Sequence, residues 1–191
     1  MHLIAIGGPR GAGKDTIENA LLSHFSSLRP VVSFTTRAPR PGEVEGHDYY
    51  FISNKEFDVL IRTDQLLCWQ NIGPSQRSGM TRDEFERIRI HNLICEATPY
   101  LDRIARDHVT TMGAKTLLIA VLAPEENCRD RIKKRQPDIT EAEVEQLIKE
   151  DPVPSDSQSF SDFDLIIRNE GRDPQPAIQL AISRVNEFLT M

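Results

Sequence analysis

Gly8-Pro9-Arg10-Gly11-Ala12-Gly13-Lys14-Asp15-Thr16 lies between two informative runs. Before it, Leu3-Ile4-Ala5-Ile6-Gly7 is apolar throughout and reads as a buried strand. After it, Ile17-Glu18-Asn19-Ala20-Leu21-Leu22 continues with helical spacing. Strand, glycine-rich loop, lysine and helix in that order make a P-loop in both pattern and context. Successive backbone N–H groups and a helix N-terminus form a concave positive site for the phosphates of a nucleotide. Glycines let the backbone approach the ligand, and Lys14 supplies a point charge for the β- and γ-phosphates. The position after the lysine, where Ser or Thr usually ligates Mg²⁺ through its hydroxyl, is Asp15. A carboxylate also suits that hard, oxygen-seeking ion. It adds a negative charge beside the phosphates, so Asp15 implies a differently arranged metal site, and Thr16 offers a hydroxyl only by a register shift.

At 191 residues, with 39% hydrophobic and 27% charged residues, the chain reads as one ordinary globular α/β domain with room for a full core. A net charge of −6 argues against a nucleic-acid polymer as the main partner. Cys68, Cys95 and Cys128 are odd in number and show no paired spacing, which points to reduced thiols and a cytoplasmic location. No run approaches the length needed to span a bilayer, so no membrane partner is expected. Oligomeric state is not legible. The five histidines show no metal spacing.

Along the chain, residues 14–25 should form the first helix and residues 31–34 the second strand. The segment 33–51 carries two prolines and two glycines and reads as an ordered loop. Within it Arg37 and Arg40 stand three apart on a proline-stiffened backbone. Such a pair can aim two guanidinium forks at one phosphate dianion, with Tyr49 and Tyr50 adding phenolic donors and Glu43 holding an arginine in place. The bland alternative is a surface loop with solvated arginines. Ser53 and Glu56 fit a capping box, residues 66–69 a short strand, and Thr81 the N-cap of another helix. Residues 91–97 read as a buried strand ending in Glu96. An acid at that place beside a P-loop either holds Mg²⁺ in the Walker B manner or is a strand-end acid without a ligand. Residues 100–107 should be helical, and residues 115–122 give the strongest buried-strand signal. Residues 125–135 form a helix ending in Arg131, Lys133, Lys134 and Arg135, either an anion site or a solvated face. A proline break precedes a new helix with Thr140 as N-cap. Residues 164–169 read as the last strand and residues 174–189 as the last helix. Strands alternating with helices imply a parallel sheet covered on both faces.

GPRGAGKDT followed by SFTTRAPRPGEVEGHDYYF resembles the guanylate kinase family, which phosphorylates GMP with ATP. The resemblance implies a three-layer P-loop NTPase-type fold: core 1–32, 91–134 and 162–191, a small NMP-binding insertion over 33–90, and a helical lid over 135–161. It implies that Ser33 faces the base, that Arg37, Arg40 and Tyr49 hold the monophosphate, and that Glu43 supports them. Arg131 and Arg135 match two lid arginines that close over the transferred phosphoryl group, and Asn169 falls where the family has an adenine-side asparagine. ATP is the implied donor and Mg²⁺ the implied cofactor.

Departures are equally specific. The glutamate usually found before the tryptophan, which reads guanine, is Cys68, and one of two strand-end aspartates becomes Thr98 if Glu96 takes the other position. The family's Tyr-Gly-Ser/Thr turn is replaced over residues 76–81, where Arg77 could supply the missing charge and Ser78 or Thr81 a hydroxyl. A third lid arginine is absent near Gln146, with Lys149 close by. The phosphate clamp is therefore better represented than the base reader. Relatives with another acceptor remain open, among them ribose 1,5-bisphosphate phosphokinase, which similarly has Gly-Lys-Asp. Non-catalytic guanylate kinase-like binding modules are a third possibility.

Overall fold

The computed structural model describes residues 1–96, 99–150 and 163–191. The element order is β1 (His2–Gly7), α1 (Lys14–His24), β2 (Leu28–Pro30), β3 (Ser33–Thr35), β4 (Tyr49–Phe51), α2 (Asn54–Arg62), β5 (Leu66–Gly73), β6 (Gln76–Thr81), the short α3 (Arg82–Glu86), β7 (Asn92–Glu96), α4 (Pro99–Thr111), β8 (Lys115–Leu122), α5 (Glu125–Arg135), α6 (Glu141–Glu150), β9 (Leu165–Arg168) and α7 (Gln175–Leu189).

Five strands form a parallel sheet in the order β2-β7-β1-β8-β9. Its central strand is sealed, with Leu3, Ile4, Ala5 and Ile6 all inaccessible to solvent. Strand alternation divides the core into two layers. Ile4, Ile6, Ile94, Leu117, Ile119 and Val121 pack with residues of α1, α5, α6 and α7. Leu3, Ala5, Leu93, Cys95 and Leu118 pack with Val109 of α4, Phe85 of α3, and Cys68 and Met80 of the smaller sheet. This is the expected helix–sheet–helix layering. The three cysteines are buried and form no disulfide. Among the described residues no helix is long and apolar enough to cross a membrane.

The smaller sheet, ordered β4-β3-β6-β5, was not legible as a sheet. The single strand expected over 31–34 is divided. Residues 28–30 pair with β7, the Val31 N–H donates to Ile94 O at 2.8 Å, and β3 then joins the second sheet. Pro30 lies on an edge strand, where its missing N–H costs the ladder no bond. Residues 76–81 are a strand, not a turn, and form an antiparallel hairpin with β5. Local chemistry performed as expected elsewhere. Ser53 and Glu56 close a capping box, Thr81 accepts from Glu84 N, and Thr140 accepts from Glu143 N. Of the expected lid, α6 is described, while residues 151–161 and the position of Thr98 lie outside the described residues.

Candidate active site

The phosphate loop runs from β1 into α1, with Gly13 at the helix N-cap. Gly8 has φ 140° and Gly11 φ 78°, and a Cβ at either would meet Val121 O at 2.1 Å or Cys128 O at 2.6 Å. Only glycine fits either position. The Lys14 ammonium is buried, donates to Pro9 O at 3.3 Å and lies 3.0 Å from Glu96 Oε1. Burial pushes the Glu96 carboxyl above its ordinary range; Lys14 opposes that shift and the neighbouring Asp15 charge adds to it. Asp15 stays largely exposed and lies 3.6 Å from Arg135 at the end of α5. Two abutting carboxylates beside the P-loop lysine form an all-oxygen donor pair, the chemistry Mg²⁺ prefers. The residues fit that ion.

A second cluster comes from the segment between β3 and β4. Arg37 makes a bidentate pair with Glu43, Nη1 to Oε2 at 2.6 Å and Nη2 to Oε1 at 2.5 Å, and its guanidinium lies 4.8 Å from the Tyr49 ring centre. Glu43 also accepts from the Arg40 backbone N–H at 2.7 Å. Its carboxyl is held below the usual range: burial works against the shift, but the bonds from Arg37 and Arg40 outweigh it. Arg37 is nearly enclosed, whereas Arg40 keeps 37% of its side chain exposed. Burial, then the charges of Arg37 and Arg135, lower the Arg40 pKa. An arginine opposed by two others is poised for an anion. Burial and the Glu96 charge push the Tyr49 phenol up to about 12, so it remains a hydrogen-bond donor.

Ser33 lies on β3 beside Tyr49 on β4 and shares its face of the sheet. Arg77 does not. Its cross-strand partner Asn71 and the adjacent pair Gly79–Trp69 set its face by alternation, away from Ser33 and Tyr49. Its guanidinium bonds Asn54 O, Asn54 Oδ1 and Asp58 Oδ1 and covers the Phe57 ring at 4.7 Å. The acceptor role expected for Arg77 is corrected: it fastens the sheet to α2. The residue on the cleft face of that strand is Ser78.

Arg131 lies against the P-loop. Its Nη1 donates to Gly11 O and Ala12 O at 3.1 and 3.0 Å, and its Nη2 to Asn169 O and Gly171 O at 3.1 Å each. Asn169 is 4% exposed and donates from Nδ2 to Ala12 O at 2.8 Å. Both side chains thus bond backbone carbonyls of the P-loop. Of the two α5 arginines, Arg135 is the one directed at the site. Arg131→Ala should destabilise the fold by about 2 kcal/mol, the cost of losing charged hydrogen bonds to part-buried carbonyls, and lower the melting temperature by roughly 4–8 °C. Arg135→Ala should slow turnover without moving it. Calorimetric melting beside steady-state kinetics separates the two.

In the P-loop itself, the Pro9 carbonyl accepts from Ala12 N at 3.1 Å, and the Arg10 side chain donates to Ile72 O at 3.0 Å, tying the loop to β5. On α6, Gln146 donates to Glu150 and Lys149 pairs with Glu145.

Sequence reasoning missed Glu18. Burial, reinforced by the charges of Glu96 and Asp15 and opposed by Lys14, pushes its carboxyl up to about 8. The signal was its place four residues after Lys14, on the inward side of α1. A carboxyl whose folded pKa exceeds its unfolded value favours the folded state at low pH, and that advantage is lost as pH rises toward and past 8. Glu18→Gln should therefore raise the melting temperature at pH 9 and change it little at pH 5, measured in chelator so that no metal masks the acids.

A family model described as Guanylate kinase matches residues 1–186. The chain is 31% identical over 172 residues to a guanylate kinase of Polaromonas sp., covering 88% of this chain and 80% of that one. Against a guanylate kinase of Corynebacterium jeikeium the identity is 31% over 195 residues, covering 98% and 95%. A crystal structure of guanylate kinase from Anaplasma phagocytophilum shares the fold, with a TM-score of 0.61 at 21% identity over 98% of this chain and 84% of that one. By sequence and by fold, the chain belongs to the guanylate kinase family.

Proposed function

We propose that the chain transfers the γ-phosphoryl group of ATP to GMP, giving ADP and GDP. One observation carries this reading: a continuous line of charged groups joins the acceptor clamp to the phosphate loop. Arg37 pairs with Glu43, Arg40 lies in the fields of Arg37 and Arg135, Arg135 faces Asp15, and Asp15 adjoins Glu96, which pairs with Lys14. Three arginines and a lysine from the loop over 36–48, α5 and the P-loop thus meet along one path, as two phosphates exchanging a third require.

In the reaction an oxygen of the acceptor phosphate attacks the γ-phosphorus as the bond to the β-phosphate bridging oxygen breaks, and ADP leaves with that electron pair. The nucleophile is already an anion, so little proton transfer is needed and positioning dominates. Arg40 and Tyr49 orient the acceptor, while Arg37, locked by Glu43, fixes the clamp. Lys14 and Arg135 neutralise charge on the transferring group and the leaving oxygen. Asp15 and Glu96 would hold Mg²⁺, which would supply positive charge to offset that of the phosphates. The domain scheme belongs to the same proposal: core 1–32, 91–134 and 162–191, acceptor-binding region 33–90 and lid 135–161. Cytoplasmic residence does too, supported by three cysteines outside any disulfide.

Purified protein with Mg-ATP should release ADP when GMP is added and not before. GMP-independent hydrolysis alone, or no release with any nucleoside monophosphate while ATP binds, would contradict the assignment.

A further inference from the structure

The register of the smaller sheet lays out the floor on which the acceptor rests. Ser33 pairs with Tyr49 across β3 and β4. Phe34 pairs with Gly79 and Thr35 with Ser78, so the antiparallel ladder sets Met80 beside Ser33, and Met80 in turn pairs with Cys68 on β5. One rung therefore runs Tyr49, Ser33, Met80, Cys68. The next, on the same face, runs Phe51, Thr35, Ser78, Gln70. With neighbouring strands about 4.8 Å apart, each rung spans roughly 14 Å. Tyr49 marks the phosphate end, beside the Arg37 guanidinium. The other end is closed by two sulfurs. Met80 is 1% and Cys68 4% exposed, and both pack with Val31, Phe85, Leu93 and Cys95.

Neither rung carries a carboxylate. Guanine presents its N1–H and 2-amino groups as adjacent donors, and a carboxylate, acceptor-only and two-pronged, matches them. A thiol and a thioether are weak acceptors and cannot. An ionised acid placed among these apolar neighbours would also bear a large desolvation cost. Enclosed by those neighbours, the two sulfurs leave the far end of the rung apolar. Ser33 contributes a hydroxyl that rotates to donate or accept, and so does not distinguish one purine edge from another.

We propose that this chain selects its acceptor's base by shape and a hydroxyl, and so takes purine nucleoside monophosphates as a class, with GMP and inosine monophosphate treated nearly alike. The inference rests on the acceptor reading given above. Hypoxanthine differs from guanine only in lacking the 2-amino group. A site built to hydrogen-bond such a group rejects the analogue by about 10⁴–10⁵, whereas a site without that partner discriminates by about 10² at most. Among the described residues of these two rungs, the missing group has no carboxylate partner to lose.

The test is kcat/KM for GMP and for inosine monophosphate at saturating Mg-ATP, with calorimetric binding of each to the ATP-free protein as a readout independent of turnover. The expected ratio is within tenfold by both measures. Cys68→Glu, which supplies a carboxylate on the rung, should raise the preference for GMP above that of the parent. Should it fail to fold, the parent's ratio still decides. Turnover of GMP with a preference beyond tenfold over inosine monophosphate overturns this inference and leaves the proposed function standing. Neither turnover nor binding of either nucleotide overturns both.

Discussion

Lys14→Met should abolish phosphoryl transfer, lowering kcat by about 10³ or more, while the protein remains folded. The ammonium is the buried cation at the centre of the P-loop, 3.0 Å from Glu96 and 3.3 Å from the Pro9 carbonyl. In the transition state, charge spreads over the transferred group and the leaving oxygen, and a fixed cation in a water-poor site stabilises that charge far more than it stabilises the ground state. Methionine keeps most of the volume and removes the charge. It also leaves Glu96, already pushed upward by burial, without the cation that opposes the shift. Without that cation, burial raises the carboxyl further and weakens it as a charged ligand. Steady-state turnover beside a melting curve checks the claim. A variant that retains more than a tenth of the parental rate would remove Lys14 from the catalytic set.

Glu43→Gln should raise the acceptor KM roughly a hundredfold, the equivalent of about 2–3 kcal/mol for charged hydrogen bonds, and leave the KM for ATP within about twofold. The carboxylate accepts both Arg37 Nη atoms and the Arg40 backbone N–H, so one residue sets the geometry of two clamp residues. An amide has one acceptor oxygen and turns an N–H₂ toward a guanidinium. Arg37, with only 9% of its side chain exposed, then keeps its charge without its counter-ion and shifts away from the Tyr49 ring. The effect falls on the acceptor because Glu43 touches nothing in the P-loop among the bonds described. Separate titration of the two substrates reads the difference, and equal changes in both KM values would mean that the clamp and the ATP site are one unit.

How far these residues could be found without the structure depends on whether their signal is local. The P-loop was legible because strand, glycines, lysine and helix are contiguous, and the structure adds only the carbonyls of Val121 and Cys128 that exclude a Cβ. Helix α5 was legible over its full span, as were the caps at Ser53 and Thr81, since a cap oxygen and the N–H it accepts from lie three residues apart. The pairing of Glu43 with Arg37 follows from one stiff loop. What failed needed non-local register. Arg77 and Ser78 are neighbours in sequence, but pairing with β3 and β5, shifted by irregularities at Leu66/Cys68 and Asn71/Gly73, decides which faces the cleft. Arg131 and Arg135 stand one helical turn apart and look equivalent. Only the packing of α5 against the P-loop turns the first into a buttress and leaves the second at Asp15. Glu18 reads as an ordinary helix-surface acid until β7 brings Glu96 against it.

Transfer of label from γ-labelled ATP into GDP, in the presence of unlabelled GMP and Mg²⁺, tests the central claim most directly. It asks whether the clamp and the P-loop serve one phosphoryl path. Label recovered in GDP, dependent on both Lys14 and Arg40, is the outcome expected. Label recovered only as inorganic phosphate, or GDP formation indifferent to Arg40→Ala, would contradict the account.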